Sequence, residues 1–167
     1  MTLNNTLKPE NVVCDSTEIS SKKQVLERIG RITCHQSENT NYVEVLQALI
    51  KRERLGSTVL GHGVAVPHAR IENLEQIVVC LITLHTAINF NEDDKTAVDV
   101  IFGILAPANA NVEQLGILSE ISTLLQNKNY RDALRQATTA EELYQAAIRK
   151  PIDEGAQSAE KDATDQQ

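Results

Sequence analysis

Two stretches decide what this chain can fold into. Ile77-Val78-Val79-Cys80-Leu81-Ile82-Thr83-Leu84 and Val98-Asp99-Val100-Ile101-Phe102-Gly103-Ile104-Leu105 are nearly continuous apolar runs rich in β-branched residues. A strand wetted on one face alternates apolar and polar residues, whereas an unbroken run needs cover on both faces. Both runs are far too short to cross a bilayer as helices. They are therefore predicted as central strands, and the rest of the chain must supply a layer on each side.

The flanking segments have helical period. Ser21-Lys22-Lys23-Gln24 has capping-box spacing, in which Ser21 and Gln24 satisfy each other's backbone donors, and Val25, Leu26, Ile29 and Ile32 follow at helical spacing. A second helix starts near Thr40–Asn41, with Tyr42, Val45, Leu46, Leu49 and Ile50 on one face. It ends in Lys51-Arg52-Glu53-Arg54, before Gly56. Cations suit that end, where the helix dipole is negative. Beyond the strands, Asn111-Val112-Glu113-Gln114 opens a helix carrying Leu115, Leu118, Ile121, Leu124 and Leu125. A shorter helix runs from about Tyr130, and Thr139 caps a last one with Leu143, Ala147 and Ile148 inside. Residues 1–19 are polar and mixed, and Pro9 breaks any early helix. The order implies one α/β domain, a central mixed β-sheet flanked by helices.

Composition narrows the function. With 167 residues, two Phe, three Tyr and no Trp, the core must be aliphatic, and no aromatic platform for single-stranded nucleic acid is available. The formal charge of −7 argues against nucleic acid and anionic membranes and leaves open a basic partner. Much of that charge lies late: Asp153, Glu154, Glu160, Asp162 and Asp165 face only Lys161. Residues 1–150 are thus expected to form the domain and 151–167 an acidic flexible tail. Cys14, Cys34 and Cys80 share no metal-like spacing, and Cys80 reads as a small buried hydrophobe. No leader pattern or membrane insertion is expected, and the default setting is the reducing cytoplasm.

Phosphate-binding loops, dinucleotide fingerprints, Cys-x-x-Cys pairs and His-Glu-x-x-His are absent from the sequence, and no cofactor is expected. One segment stands apart: Gly61-His62-Gly63-Val64-Ala65-Val66-Pro67-His68-Ala69-Arg70. Pro67 fixes its own φ and biases Val66 to an extended form, which presents His68 at a strand end on a rigid support. Spacing alone also fits a hydrogen-bonded structural histidine. His62 reads as a surface-loop residue or as a second group in the same pocket. His85 follows a central strand without a companion, and a zinc site from His62, His68 and His85 lacks ligand spacing.

Arg52-Glu53-x-x-Gly56-Ser57-Thr58 followed by Gly61-x-Gly63-Val64-Ala65-Val66-Pro67-His68 resembles the phosphoryl-site signature of the fructose/mannitol/nitrogen class of phosphotransferase-system IIA domains. The resemblance covers residues from about 10 to 148, and Ser21-Lys22-Lys23 is similar to the nitrogen-type subgroup. It implies the mannitol/fructose-type α/β sandwich and a phosphocarrier whose phosphorylated residue is His68. The donor would be an HPr-like histidine phosphocarrier, and regulatory target proteins would respond to the phosphorylation state. Arg52 would grip the phosphoryl oxygens, since guanidinium offers two parallel donors. Ser57 and Thr58 could add hydrogen bonds, or serve the turn. Where the family places a second histidine in a His-Leu-x-x-Leu setting, this chain has Gln114-Leu115-Gly116-Ile117-Leu118. Gln114 can donate an amide hydrogen bond but cannot gain a charge, and it also sits at capping-box spacing from Asn111. A regulatory phosphocarrier is therefore expected ahead of a sugar-specific IIA that feeds a IIB domain. A binding module with impaired phosphotransfer is the third possibility.

Overall fold

A computed structural model describes residues 2–91 and 96–151. Of the acidic tail expected over residues 151–167, residues 152–167 lie outside the described residues. The two apolar runs become the paired centre of one sheet. Strand β5 (Val78–Asn89) lies antiparallel to β6 (Ala97–Pro107). The remaining strands are β1 (Leu7–Ser16), β2 (Val59–Gly61), β3 (Val64–Ala65) and β4 (His68–Ile71). The order across the sheet is β1-β5-β6-β3-β2, and β4 pairs with β6 further along the β3 edge. Strand β1 runs parallel to β5, and both β3 and β4 run parallel to β6, so the sheet is mixed.

Helices cover both faces, as the unbroken apolar runs require. Helices α2 (Lys22–Gln36) and α3 (Tyr42–Leu55) bury Val25, Ile29, Val45 and Leu49 against Cys80, Ile82, Ile101 and Leu105. On the other face α4 (Val112–Gln126), α5 (Lys128–Gln136) and α6 (Ala140–Ile148) bury Ile117, Ile121, Leu134 and Leu143. Their partners include Val79, Leu81, Val100 and Phe102. Alternate residues of β5 and β6 thus enter opposite clusters, the two-residue period expected of a sheet.

The first nineteen residues carry more structure than their composition suggests. A single turn of helix, α1 (Leu3–Thr6), leads into the ten-residue β1. Strand β1 ends the strand order, where a proline removes no ladder bond that the sheet needs, so Pro9 is accommodated. Register shifts along β1 blur its alternation, and buried Asn11 donates from Nδ2 to the Val79 carbonyl at 3.1 Å. The cap of α2 also differs from the reciprocal box. Ser21 Oγ accepts from Gln24 N, but Gln24 Oε1 accepts from Ser20 N at 2.7 Å, one residue earlier. His85 does have a companion: its Nδ1 lies 3.1 Å from Asp15 Oδ1.

Two stability predictions arise from this core. A Cβ on Gly103 would lie 2.7 Å from Cys80 Sγ and 3.0 Å from Ile29 Cδ1, between β5 and α2. Gly103→Ala is expected to cost about 1–3 kcal/mol by overpacking, read as a lower midpoint in urea unfolding. The second concerns alkaline pH. Burial pushes the Cys80 thiol up to about 12 from its ordinary 9.0, and burial also raises the Tyr130 hydroxyl. Between these values the native chain holds a proton that the unfolded chain has released. The stabilisation present below pH 9 is therefore lost as pH rises towards 12. Unfolding midpoints measured at about pH 8 and pH 11 should fall at the higher value; equal midpoints would contradict this coupling.

Candidate functional site

The edge that β3 and β4 share along β6 is one run interrupted at Val66-Pro67. Val64 and Ala65 pair with Val100 and Ile101, and pairing resumes at His68 opposite Ile104. Proline has no N–H for the ladder, but its carbonyl accepts from Ile104 N at 3.0 Å. The Val66 carbonyl is taken by the His68 ring, with Nδ1 2.8 Å away. A carbonyl only accepts, so Nδ1 carries the proton and the neutral ring keeps its lone pair on Nε2.

The turn before β3 makes this edge possible. Gly61, His62 and Gly63 all have positive φ, at 92°, 55° and 77°. At Gly63 a Cβ would sit 2.6 Å from Arg135 Nη2 and 2.8 Å from Asp99 Oδ1, so the position needs both the conformation and the space of glycine. Arg135 donates to both Asp99 carboxylate oxygens and to the His62 carbonyl, which clamps the hairpin to β6 and α5.

His68 lines an open groove of about 610 Å³ between the end of α3 and the start of α4. From α3 come Lys51, Arg52 and Leu55, from β4 Arg70, and from α4 Leu115 and Leu118. The sequence-expected pair His68 and Arg52 is thus brought into one groove. Arg52 Nη1 donates to the Gly56 carbonyl at 2.8 Å, which closes the helix end and leaves the rest of the guanidinium fork for another acceptor.

The other expected residues are placed differently. Gln114 stands one residue before groove-lining Leu115, and its side chain completes a capping box. Its Oε1 accepts from Asn111 N at 3.0 Å, while its backbone N donates to Asn111 Oδ1 at 2.9 Å. Its amide N–H₂ is left to donate to a further partner. Ser57 Oγ accepts from Val59 N and from Asn91 Nδ2 at 2.6 Å, and Thr58 Oγ1 donates to Glu53. Both hydroxyls serve the turn, and neither residue lines the groove. Gly63, which follows His62, pairs with Asp99 while His68 faces Ile104, a separation of about 16 Å along β6. His62 does not share the His68 groove.

One network had no signal in the sequence. Glu53, next to Arg52, turns inward, with its carboxylate 4% exposed. It accepts from Thr58 and pairs with Lys22 Nζ at 3.0 Å, and Lys22 Nζ lies 5.0 Å over the Phe90 ring. A buried carboxylate is tolerated only when paired and hydrogen-bonded. Together these contacts tie the end of α3 to the start of α2 and to Thr58, which orients the turn bearing Arg52. In a run of four charged residues, nothing local distinguishes the one that turns inward.

With this geometry in place, the likeness to known proteins is specific. The fold matches the crystal structure of nitrogen regulatory protein IIA-Ntr from Neisseria meningitidis with a TM-score of 0.79 at 32% identity, covering 87% of this chain and 99% of that one. It also shares the fold of IIA mannitol from Escherichia coli, with a TM-score of 0.66 at 21% identity over 86% of this chain and 99% of the other. Residues 5–150 match the family described as "Phosphoenolpyruvate-dependent sugar phosphotransferase system, EIIA 2", and the chain belongs to that family. Among its relatives, the nitrogen regulatory protein of Pseudomonas aeruginosa is 35% identical over 128 residues, 77% of this chain and 83% of that protein. That of Bradyrhizobium diazoefficiens is 30% identical over 151 residues, 90% and 97% of the two chains.

Proposed function

We propose that this protein is a phosphocarrier of the nitrogen-regulatory type. On this reading residues 1–150 are its phosphotransfer domain and His68 Nε2 is the phosphoryl acceptor. The observation that carries the reading is the 2.8 Å contact between His68 Nδ1 and the Val66 carbonyl, in a groove shared with Arg52. It holds the proton on Nδ1 and leaves Nε2 as the nucleophile without a side-chain base.

The donor is a phosphohistidine on an HPr-like protein. Nε2 attacks phosphorus in line, a new N–P bond forms, and the donor imidazole leaves with the electron pair of the broken one. As Nε2 gives up its lone pair the His68 ring gains positive character, and the Val66 carbonyl stabilises the Nδ1–H that shares it. Arg52 meets the charge on the phosphoryl oxygens, and the Gln114 amide N–H₂ can donate to one of them. The transferred group brings about −1.5 to −2 of charge into the groove. A change of that size beside exposed Leu55 alters which protein surfaces can dock there, and this is how the protein regulates its targets in the cytoplasm. Among the described residues no helix is long and apolar enough to cross a membrane.

The test is reconstitution with labelled phosphoenolpyruvate, the general phosphotransferase kinase and an HPr-like carrier. The expected product is a phosphoprotein whose label is stable in base and lost in acid, formed only when the carrier is present. Label that is acid-stable, or independent of the carrier, would sink the proposal.

A further inference from the structure

Arg52 and His68 belong to different elements, and Arg52 sits at a helix end beside an exposed turn. Gly56, the residue after α3, has φ 164°, extended rather than the left-handed form of a glycine cap. Side chains close this helix end instead. Arg52 Nη1 donates to the Gly56 carbonyl at 2.8 Å, and Thr58 Oγ1 donates to the Glu53 carboxylate. Arg54, Leu55, Gly56 and Ser57 are all exposed, whereas Glu53 and Thr58, on either side of them, are buried. One buried hydrogen bond thus clasps the exposed loop whose carbonyl holds Arg52.

The same threonine reaches His68 through its main chain. The Thr58 carbonyl accepts from Val66 N at 2.9 Å, and the Val66 carbonyl is the group that His68 Nδ1 contacts at 2.8 Å. Thr58 is therefore joined on one side to the residue that follows Arg52, and on the other to the residue that holds the His68 ring. Ser57 makes no such link, since its hydroxyl accepts from Asn91 and Val59. Pro67 restricts Val66 to an extended form, so a displacement of Thr58 is passed on rather than absorbed. The clasp is also hard to replace. Without the Thr58 hydroxyl, Glu53 keeps only Lys22 Nζ, 3.0 Å from its other oxygen, and a buried oxygen deprived of its donor is costly.

We propose that the buried Glu53–Thr58 hydrogen bond sets the position of Arg52 relative to His68, and through it the rate of phosphoryl transfer. Neither Glu53 nor Thr58 lines the groove, so both are positioning residues. The kinetic half rests on the phosphocarrier reading above; the structural half does not. In-line transfer needs Nε2 and the guanidinium in place together, and a misplacement of about 1 Å costs up to about a hundredfold in rate. A hydroxyl outside the groove thereby governs a reaction it never touches.

The experiment compares full-length wild type, Thr58→Val, Thr58→Ser and Glu53→Gln by stopped-flow transfer at saturating phosphorylated carrier, where docking no longer limits the rate. Thr58→Val is expected to be about ten- to a hundredfold slower. Thr58→Ser keeps the hydroxyl. Glu53→Gln removes the charge that pairs with Lys22 but keeps a hydrogen bond to Thr58 in either amide orientation. Both should therefore stay within about threefold of wild type. In an Arg52→Ala background, Thr58→Val should add less than about threefold, because the group it positions is gone. If Thr58→Val does not fold, Thr58→Ala, which puts no methyl in place of the hydroxyl, is used instead. Crystal structures of wild type and the folded Thr58 variant should differ by about 1 Å or more in the separation of Arg52 Cζ from His68 Nε2. An unchanged separation overturns the structural half. Equal transfer rates, a full additional loss in the Arg52→Ala background, or rates that follow the urea midpoint rather than the hydroxyl overturn the kinetic half. If the wild type accepts no phosphate, the phosphocarrier reading falls and the crystal structures alone decide the clasp.

Discussion

His68→Ala is expected to yield a folded protein that takes up no acid-labile phosphate from an HPr-like donor. The loss should be complete, because among the described residues no other side chain lining the groove offers a neutral nitrogen lone pair: Lys51, Arg52 and Arg70 are cations. Structural damage should be small. His68 is only half-buried, and the substitution removes one side-chain hydrogen bond, to the Val66 carbonyl, worth about 0.5–1.5 kcal/mol. The edge pairing of β4 with β6 uses backbone groups that alanine keeps. Circular dichroism and a urea midpoint close to wild type would therefore accompany the lost labelling. Label that persists in this variant would move the chemistry to another residue.

The next largest effect is expected at Arg52. Arg52→Ala should slow phosphoryl transfer by about 10²–10³, the scale found when a preorganised donor to developing oxyanion charge is removed. Arg52→Lys should recover only part of this. Lysine supplies a point charge but not the planar fork, and it cannot both cap the Gly56 carbonyl and grip two oxygens. Stopped-flow transfer from a phosphorylated carrier separates the two contributions: a lower rate at saturating carrier reports transition-state charge, and a raised half-saturation concentration reports docking. Equal rates for wild type and Arg52→Ala would mean that the arginine belongs to the helix end alone.

The sheet and its cover were readable because both central strands announce themselves by continuous apolar sequence, and because Asn41, Asn111 and Thr139 are unambiguous caps. Strand β1 was not readable, since register shifts break its alternation and Pro9 argues against a strand unless the edge position is known. Strand β4 was hidden for a related reason. His68 was expected at the end of a strand, yet it begins a new one, because the chain resumes pairing with β6 after Pro67. The motif brought His68 and Arg52 forward and the fold puts both in one groove. Ser57, Thr58 and His62 share the motif but are committed to the turn and hairpin, which shows that motif residues can serve the scaffold rather than the groove. Charge was the least legible property. A net −7 left a basic partner open, but net charge is a sum, and folding gathers Lys51, Arg52 and Arg70 in the His68 groove while Glu53 turns inward to Lys22.

The central claim is that His68 is phosphorylated on Nε2 while Nδ1 keeps its contact to Val66. Nitrogen-15 NMR of protein labelled in its histidine rings, recorded before and after phosphorylation through the carrier, tests this directly. The account predicts phosphorus coupling on Nε2 of His68, a protonated Nδ1 both before and after, and unchanged rings at His35, His62 and His85. Coupling on Nδ1, or on any ring other than that of His68, would contradict it.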